Sequence, residues 1–300
     1  MKRAEHVASA KLLVLVIGLI WGFNWIAARI ILTELPPWTL RAVGIGLGAL
    51  TLFTAAAVSR VRLTVPRAQV GKIMIAGFIN VTIFNVCSAY AQVYGTTSRA
   101  IVIAYSMPIW AALLARFALK EQLTAVKLVA LALCAAGLTI LIAPLAQTGF
   151  PFGAALALVC AWSWAAGTVY MKWADIRAPM LAAVAWQLLF GWLLLAAGML
   201  YFEGLPQLWR LPTPIVAWVA YNGLIGMGLA YFLWFVVVDR LPATTASLGS
   251  LLTPVVGVIG SALIVGERPS LADIIGFALI FAAAASVLLQ PNIKHTEMPE

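Results

Sequence analysis

Ten runs of about twenty apolar residues decide what this chain can fold into. They fall at 12–32, 38–58, 70–93, 98–117, 123–143, 152–173, 180–202, 214–238, 243–265 and 271–289. A helix rises about 1.5 Å per residue, so each run crosses the hydrocarbon core of a bilayer once. The connectors are short and marked by prolines such as Pro36, Pro37, Pro66, Pro179, Pro212 and Pro242, with no room for a soluble domain. Composition agrees: the chain is 64% hydrophobic and 10% charged, against about 45–50% and about 25% in soluble globular proteins. The expected class is an all-α integral membrane protein. The first run lacks a small-residue cleavage site and reads as a span, not a cleaved leader. Cys87, Cys134 and Cys160 lie inside apolar runs at no metal-ligand spacing. They read as small packing residues, and no cofactor or metal is expected.

The net charge of +9 belongs to the connectors, which makes it a topology signal and not a nucleic-acid surface. With ten spans, fourteen of the nineteen Lys and Arg residues fall on the side that holds both termini. The positive-inside bias places that side in the cytoplasm, in a bacterial inner membrane. Arg29, Arg41, Arg99, Arg210 and Arg268 are left on the other side. Arg41 and Arg99 are expected to be anchors that snorkel to the membrane surface, with solute carboxylates as the alternative.

The chain also repeats itself. The stretch Ser98 to Glu121 carries Pro108 in its middle, and Thr244 to Glu267 carries Pro254, both copies offset by 146 residues. Proline and glutamate are 13 residues apart in each. Trp21 and Trp164 likewise each precede a basic residue by eight positions. The expected domains are a first five-helix repeat at 1–143, a second at 152–289, and a cytoplasmic tail at 290–300. Five spans per repeat place the copies in opposite orientations, a recurrent plan in secondary transporters.

These motifs resemble the drug/metabolite transporter superfamily in its ten-span EamA type. The likeness is carried by Trp21-Gly22-Phe23-Asn24-Trp25, by the proline helices ending in Lys120-Glu121 and Gly266-Glu267, and by the small-residue helices around Ala135-Ala136-Gly137 and Ala282 to Ala285. Within that type the chain is similar to the YddG-like amino-acid exporters. The resemblance implies a basket of spans 1–4 and 6–9 around a central cavity, with spans 5 and 10 packed peripherally. It implies export of small metabolites, and oligomerisation is not implied.

Polar side chains within apolar runs mark where such a cavity could lie, because they need protein or water as neighbours. In span 3, Gly77, Asn85, Ser88 and Gln92 share one helical face, with Asn80 at its edge. They read either as a cavity wall or as interhelical hydrogen bonds. Trp21, Asn24, Tyr105, Trp162, Ser163, Tyr170, Tyr231, Trp234 and Ser250 complete the candidate solute site. Pro108 and Pro254 are candidate hinges, since each removes a backbone hydrogen bond in mid-helix. No Asp or Glu falls in the middle of a run, which points to a neutral or zwitterionic solute and removes the groups an intramembrane enzyme would use. The expected function is export of small neutral or zwitterionic metabolites, amino acids including aromatic ones, by alternating access. The alternatives are a purine or drug-like solute and a passive channel. Glu121 and Glu267 are expected to cap helix ends or pair with connector bases.

Overall fold

The computed structural model describes residues 2–146, 152–266 and 270–289; Glu267, Arg268, Pro269 and the tail 290–300 lie outside the described residues. Among these residues the structure is helical, with no strand. The helices are α1 (Lys2–Ile31), α2 (Pro37–Val58), α3 (Arg67–Val93) and α4 (Thr97–Ala118), and α5 (Ala125–Ala146). They continue with α6 (Phe152–Trp173), α7 (Met180–Phe202), α8 (Thr213–Arg240) and α9 (Ala243–Val265), and α10 (Leu271–Leu288). Among the described residues nine are long and apolar enough to cross a membrane; the qualifying stretch of α10, Leu271–Ala283, is shorter. The outer surface is itself apolar, with Leu50, Phe117, Tyr201 and Leu263 between 60% and 83% exposed. Such a surface suits lipid, not water, and the chain is a multi-pass membrane protein.

Proline sets where several helices begin. Pro37 opens α2, Pro179 precedes α7, Pro214 lies in the first turn of α8 and Pro242 precedes α9. The first N–H groups of a helix have no intrahelical partner, so a missing N–H costs little there.

The packing follows one rule. α1 packs on α8 and α9, and α6 packs on α3 and α4; α2 packs on α7 and α8, and α7 also packs on α3. α5 and α10 pack on each other. Exchanging every helix for the one five places along the chain leaves this set of pairs unchanged. Small residues make the close approaches possible: a Cβ at Gly137 of α5 would lie 2.7 Å from the Gly276 carbonyl of α10.

Four helices depart from regular α geometry. α3, α8 and α9 widen into π segments at Gly77–Ile83, Tyr221–Leu229 and Ser261–Val265. α4 is interrupted between Thr97–Ala104 and Met107–Ala118, just before Pro108. α9 is interrupted between Ala243–Gly249 and Leu252–Gly260, just before Pro254. Each candidate hinge therefore sits at the start of a fresh helix, where its missing N–H leaves no gap. After each proline helix the chain turns through left-handed backbone, at Lys120 (φ 55°) and Gly266 (φ 79°). At the first of these the Glu121 N–H donates to the Ala115 carbonyl at 3.2 Å, six residues back. This closure ends α4 and presents the Glu121 side chain to α9.

Candidate functional site

A small cavity of about 30 Å³ lies where α1, α2, α3, α4, α6 and α8 converge. A water needs about 10–15 Å³ measured in this way, so the space suits about two waters. Trp21, Asn24, Trp25, Ala28, Arg41, Phe84, Ser88, Tyr105, Met107, Trp164, Met227 and Tyr231 line it. All are buried except the half-buried Phe84. The interruption of α4 before Pro108 brings both Tyr105 and Met107 to this wall.

One wall is aromatic. The Trp21 ring stands edge-on to Trp164 at 5.1 Å and to Tyr231 at 6.0 Å, and Phe84 lies 4.8 Å from Trp164. Trp234 backs this wall, 5.6 Å from Trp21 and 5.8 Å from Trp164. Edge-to-face arrangements of this kind add about 0.5–1.5 kcal/mol per pair beyond burial. The indole N–H groups of Trp164 and Trp234 are sealed from solvent without a partner.

The π segment of α8 packs against α1 and contributes Met227 to the lining. Its Gly226 carbonyl accepts the Trp21 indole N–H at 3.0 Å. Its Asn222 amide donates to Asn24 Oδ1 at 2.9 Å. Glycine is required at 226, because a Cβ there would overlap the Asn24 side chain. On α3, Asn85 Nδ2 donates to the Tyr231 hydroxyl at 3.1 Å, while Asn85 Oδ1 is buried without a partner.

Arg41 corrects the sequence expectation. It is no snorkelling anchor: it is 4% exposed and lines the cavity. Its Nε is sealed from solvent without a partner. It makes no hydrogen bond or ion pair with any described residue. Tyr231, whose hydroxyl accepts from Asn85, shares the cavity wall with it. The interior is thus not free of charge, as the lack of mid-span carboxylates had implied. A sequence signal existed: Arg41, Gly44 and Gly48 follow the i, i+3, i+7 spacing of one helix face. Both glycines pack on α8, against Asn222 and Met227, so the face carrying Arg41 looks inward. Arg99, by contrast, is exposed at the start of α4, as expected.

The structure gathers some candidate residues and scatters others. Trp21, Asn24, Ser88, Tyr105 and Tyr231 line the cavity, and Asn85 and Trp234 touch its lining. Asn80 is used between helices, donating to the Trp164 carbonyl at 3.4 Å and accepting from Gln187 at 3.3 Å. Ser163 donates to the Ile79 carbonyl across the α6–α3 contact. Gln92 is buried, donating to the Ser88 carbonyl at 3.4 Å, while its own backbone carbonyl accepts from Arg29. Ser250 donates to the Ser247 carbonyl within α9. Tyr170 packs on Trp173, and Trp162 is 54% exposed on the outer surface. None of these six lines the cavity. On α3, Asn80 lies in the π segment and is taken up by α6 and α7, while Ser88 beyond it reaches the cavity. Asn222, which is not among the sequence candidates, sits among the glycines 223, 226 and 228 that allow the close approach.

The ends of the bundle are tied by charged groups. Glu121 accepts from the Ala243 N–H at 2.6 Å, the Thr244 N–H at 3.3 Å and the Thr244 hydroxyl at 2.9 Å. Lys127 lies 3.9 Å away. This carboxylate caps α9 from α4, in the helix-end role expected of it. At the other end Glu203 of α7 caps α2, accepting from the Trp38 N–H at 2.9 Å, the Thr39 N–H at 2.6 Å and the Thr39 hydroxyl at 2.8 Å. Lys172 of α6 donates to the Val238 and Leu241 carbonyls at 3.0 and 2.7 Å. Glu267 lies outside the described residues.

An interior cavity walled by aromatic rings with a few polar side chains, set among apolar membrane-crossing helices, is an arrangement that solute carriers use. The sequence profile described as the EamA-like transporter family matches the chain twice, over residues 8–143 and 151–289. The chain belongs to the EamA-like transporter family. Curated relatives agree with this family. The chain is 25% identical over 270 residues to an uncharacterized transporter, YoaV, of Bacillus subtilis, covering 88% of this chain and 91% of the relative. It is 24% identical over 283 residues to a probable amino-acid metabolite efflux pump of Salmonella typhimurium, covering 90% and 91%. A solved crystal structure matches with a TM-score of 0.74 at 23% identity, covering 93% of this chain and 97% of that one. This last likeness bears on the fold of the EamA member alone.

Proposed function

We propose that the chain is a secondary transporter that exports small neutral or zwitterionic metabolites, amino acids including aromatic ones, by alternating access. The observation that carries this reading is the aromatic-walled cavity at the meeting of six helices. A cavity too small for an amino acid in this conformation suits an occluded state between openings. The likeness to the Salmonella relative, a probable amino-acid metabolite efflux pump, supports the solute class. The candidate solute residues are Trp21, Asn24, Ser88, Tyr105 and Tyr231, with Asn85 and Trp234 behind them.

The ten helices form two inverted five-helix repeats, 1–143 and 152–289, with both termini in the cytoplasm of a bacterial inner membrane. The two profile matches and the exchange rule in helix packing support this, and the distribution of Lys and Arg supports the orientation. The breaks before Pro108 and Pro254 supply two points at which α4 and α9 can bend as the halves rock.

The test is counterflow in proteoliposomes. Vesicles preloaded with unlabelled L-phenylalanine or L-leucine should accumulate the labelled form transiently, with saturation. Flux that never saturates, or single-channel currents, would replace the carrier with a pore. Silence toward every amino acid, with uptake of a purine, would replace the solute class.

A further inference from the structure

We propose that Arg41 binds a carboxylate. The solutes of this cavity are then small monocarboxylates with an apolar or aromatic tail, whether or not they carry an α-ammonium group. The proposal rests on the cavity being the solute site of the transporter described above.

Arg41 lies one helical turn inside α2, 4% exposed, and lines the cavity. A guanidinium remains protonated at any physiological pH. A buried charge is normally held by an opposite charge or a full set of hydrogen bonds. Arg41 has neither among the described residues, and its Nε is sealed without an acceptor. Glu203, which caps the same end of α2, is already engaged by Trp38 and Thr39. The Tyr231 phenol and the Ser88 hydroxyl that share the cavity with Arg41 are uncharged and are weak partners for a cation. The missing partner is therefore an anion that arrives with the solute. The planar fork of arginine matches a carboxylate in bidentate fashion.

The same wall offers the amine no charged partner. Among the described residues no Asp or Glu lines the cavity. Asn24 Oδ1, an acceptor on its wall, already receives the Asn222 amide. One guanidinium and one carboxylate leave the site neutral; an added ammonium restores a net positive charge with no acid to receive it. The aromatic wall of Trp21, Trp164 and Tyr231 favours a flat or apolar tail. A 2-oxo or 2-hydroxy acid should therefore serve as well as the corresponding amino acid.

The experiment uses the full chain in lipid nanodiscs and follows intrinsic tryptophan fluorescence, since Trp21, Trp25 and Trp164 line the cavity. Three probes share one tail: 3-phenylpropionate, L-phenylalanine and 2-phenylethylamine. The acid should bind at least as tightly as the amino acid, and the amine should not bind. Arg41→Gln should weaken 3-phenylpropionate by about 30-fold or more, and Arg41→Lys should retain part of the affinity. Ligand-free Arg41→Gln should melt no lower than the parent, because the change removes an unpaired buried charge. A merely structural arginine would lower the melting temperature. Equal binding of acid and amine, unchanged affinity in Arg41→Gln, or failure of both carboxylates to bind overturns the proposal. Saturable phenylalanine counterflow with unchanged KM in Arg41→Gln would overturn it while leaving the transporter intact. Arg41-dependent binding of 3-phenylpropionate in a protein without counterflow would do the reverse.

Discussion

Replacing Glu121 with glutamine should loosen the joint between α4 and α9 without altering its shape. The carboxylate holds the first turn of α9 through three hydrogen bonds, from the Ala243 and Thr244 amides and the Thr244 hydroxyl. These amides lack intrahelical partners, so Glu121 is their acceptor. Hydrogen bonds to a charged group contribute about 1.5–3 kcal/mol, and an anion at a helix N-terminus adds about 0.3–1 kcal/mol. The glutamate side chain is only 12% exposed, so solvent screening is modest. Glutamine keeps one acceptor oxygen but turns an N–H toward N–H donors. A net loss of about 2 kcal/mol follows, or about 30-fold in the local opening equilibrium. Hydrogen exchange read by mass spectrometry should show the Ala243 and Thr244 amides exchanging faster by that factor. The Trp38 and Thr39 amides, capped by Glu203 at the opposite end, are the internal control and should not change. Equal protection of Ala243 and Thr244 in parent and variant would refute the assignment of Glu121 as the cap. It would return the contact to the weak surface class.

Three further outcomes are expected. Lys120 holds a left-handed φ of 55°, a conformation that costs a side chain about 1–2 kcal/mol; Lys120→Gly should raise thermal stability by about 1 kcal/mol, read by a thermal melt in detergent. Gly226→Ala would drive a Cβ into Asn24, so it should destabilise by about 1–3 kcal/mol and abolish counterflow, while Gly71→Ala, which meets nothing within 4 Å, should do neither. Trp162 is 54% exposed on the outer surface, so Trp162→Leu should leave the KM of transport unchanged, and a shifted KM would return it to the solute site.

Membrane class, helix positions and the half-chain period were legible in the sequence because each depends on local pattern. An apolar run of bilayer length has few alternatives to a helix, and the paired Pro108–Glu121 and Pro254–Glu267 spacings need no partner to be seen. The aromatic and polar residues of α1 and α8 were also legible, since Asn24 and Tyr231 interrupt apolar faces. What each polar side chain does was not legible. Asn80 and Ser88 look alike on a helical wheel. Yet Asn80 is taken up by hydrogen bonds to α6 and α7, while Ser88 is left at the cavity.

Arg41 marks the division most clearly. Its position near the start of an apolar run fits a surface anchor as well as a buried cation, because sequence fixes depth along the membrane but not direction around the helix. Gly44 and Gly48 decide the direction only when α8 is present to pack against them. The chain by itself determined a bundle of membrane-crossing helices built from two similar halves, through the solvent its apolar runs require. Only the tertiary packing decided that a lone guanidinium faces the cavity, because burial and partnering belong to the neighbours and not to the residue.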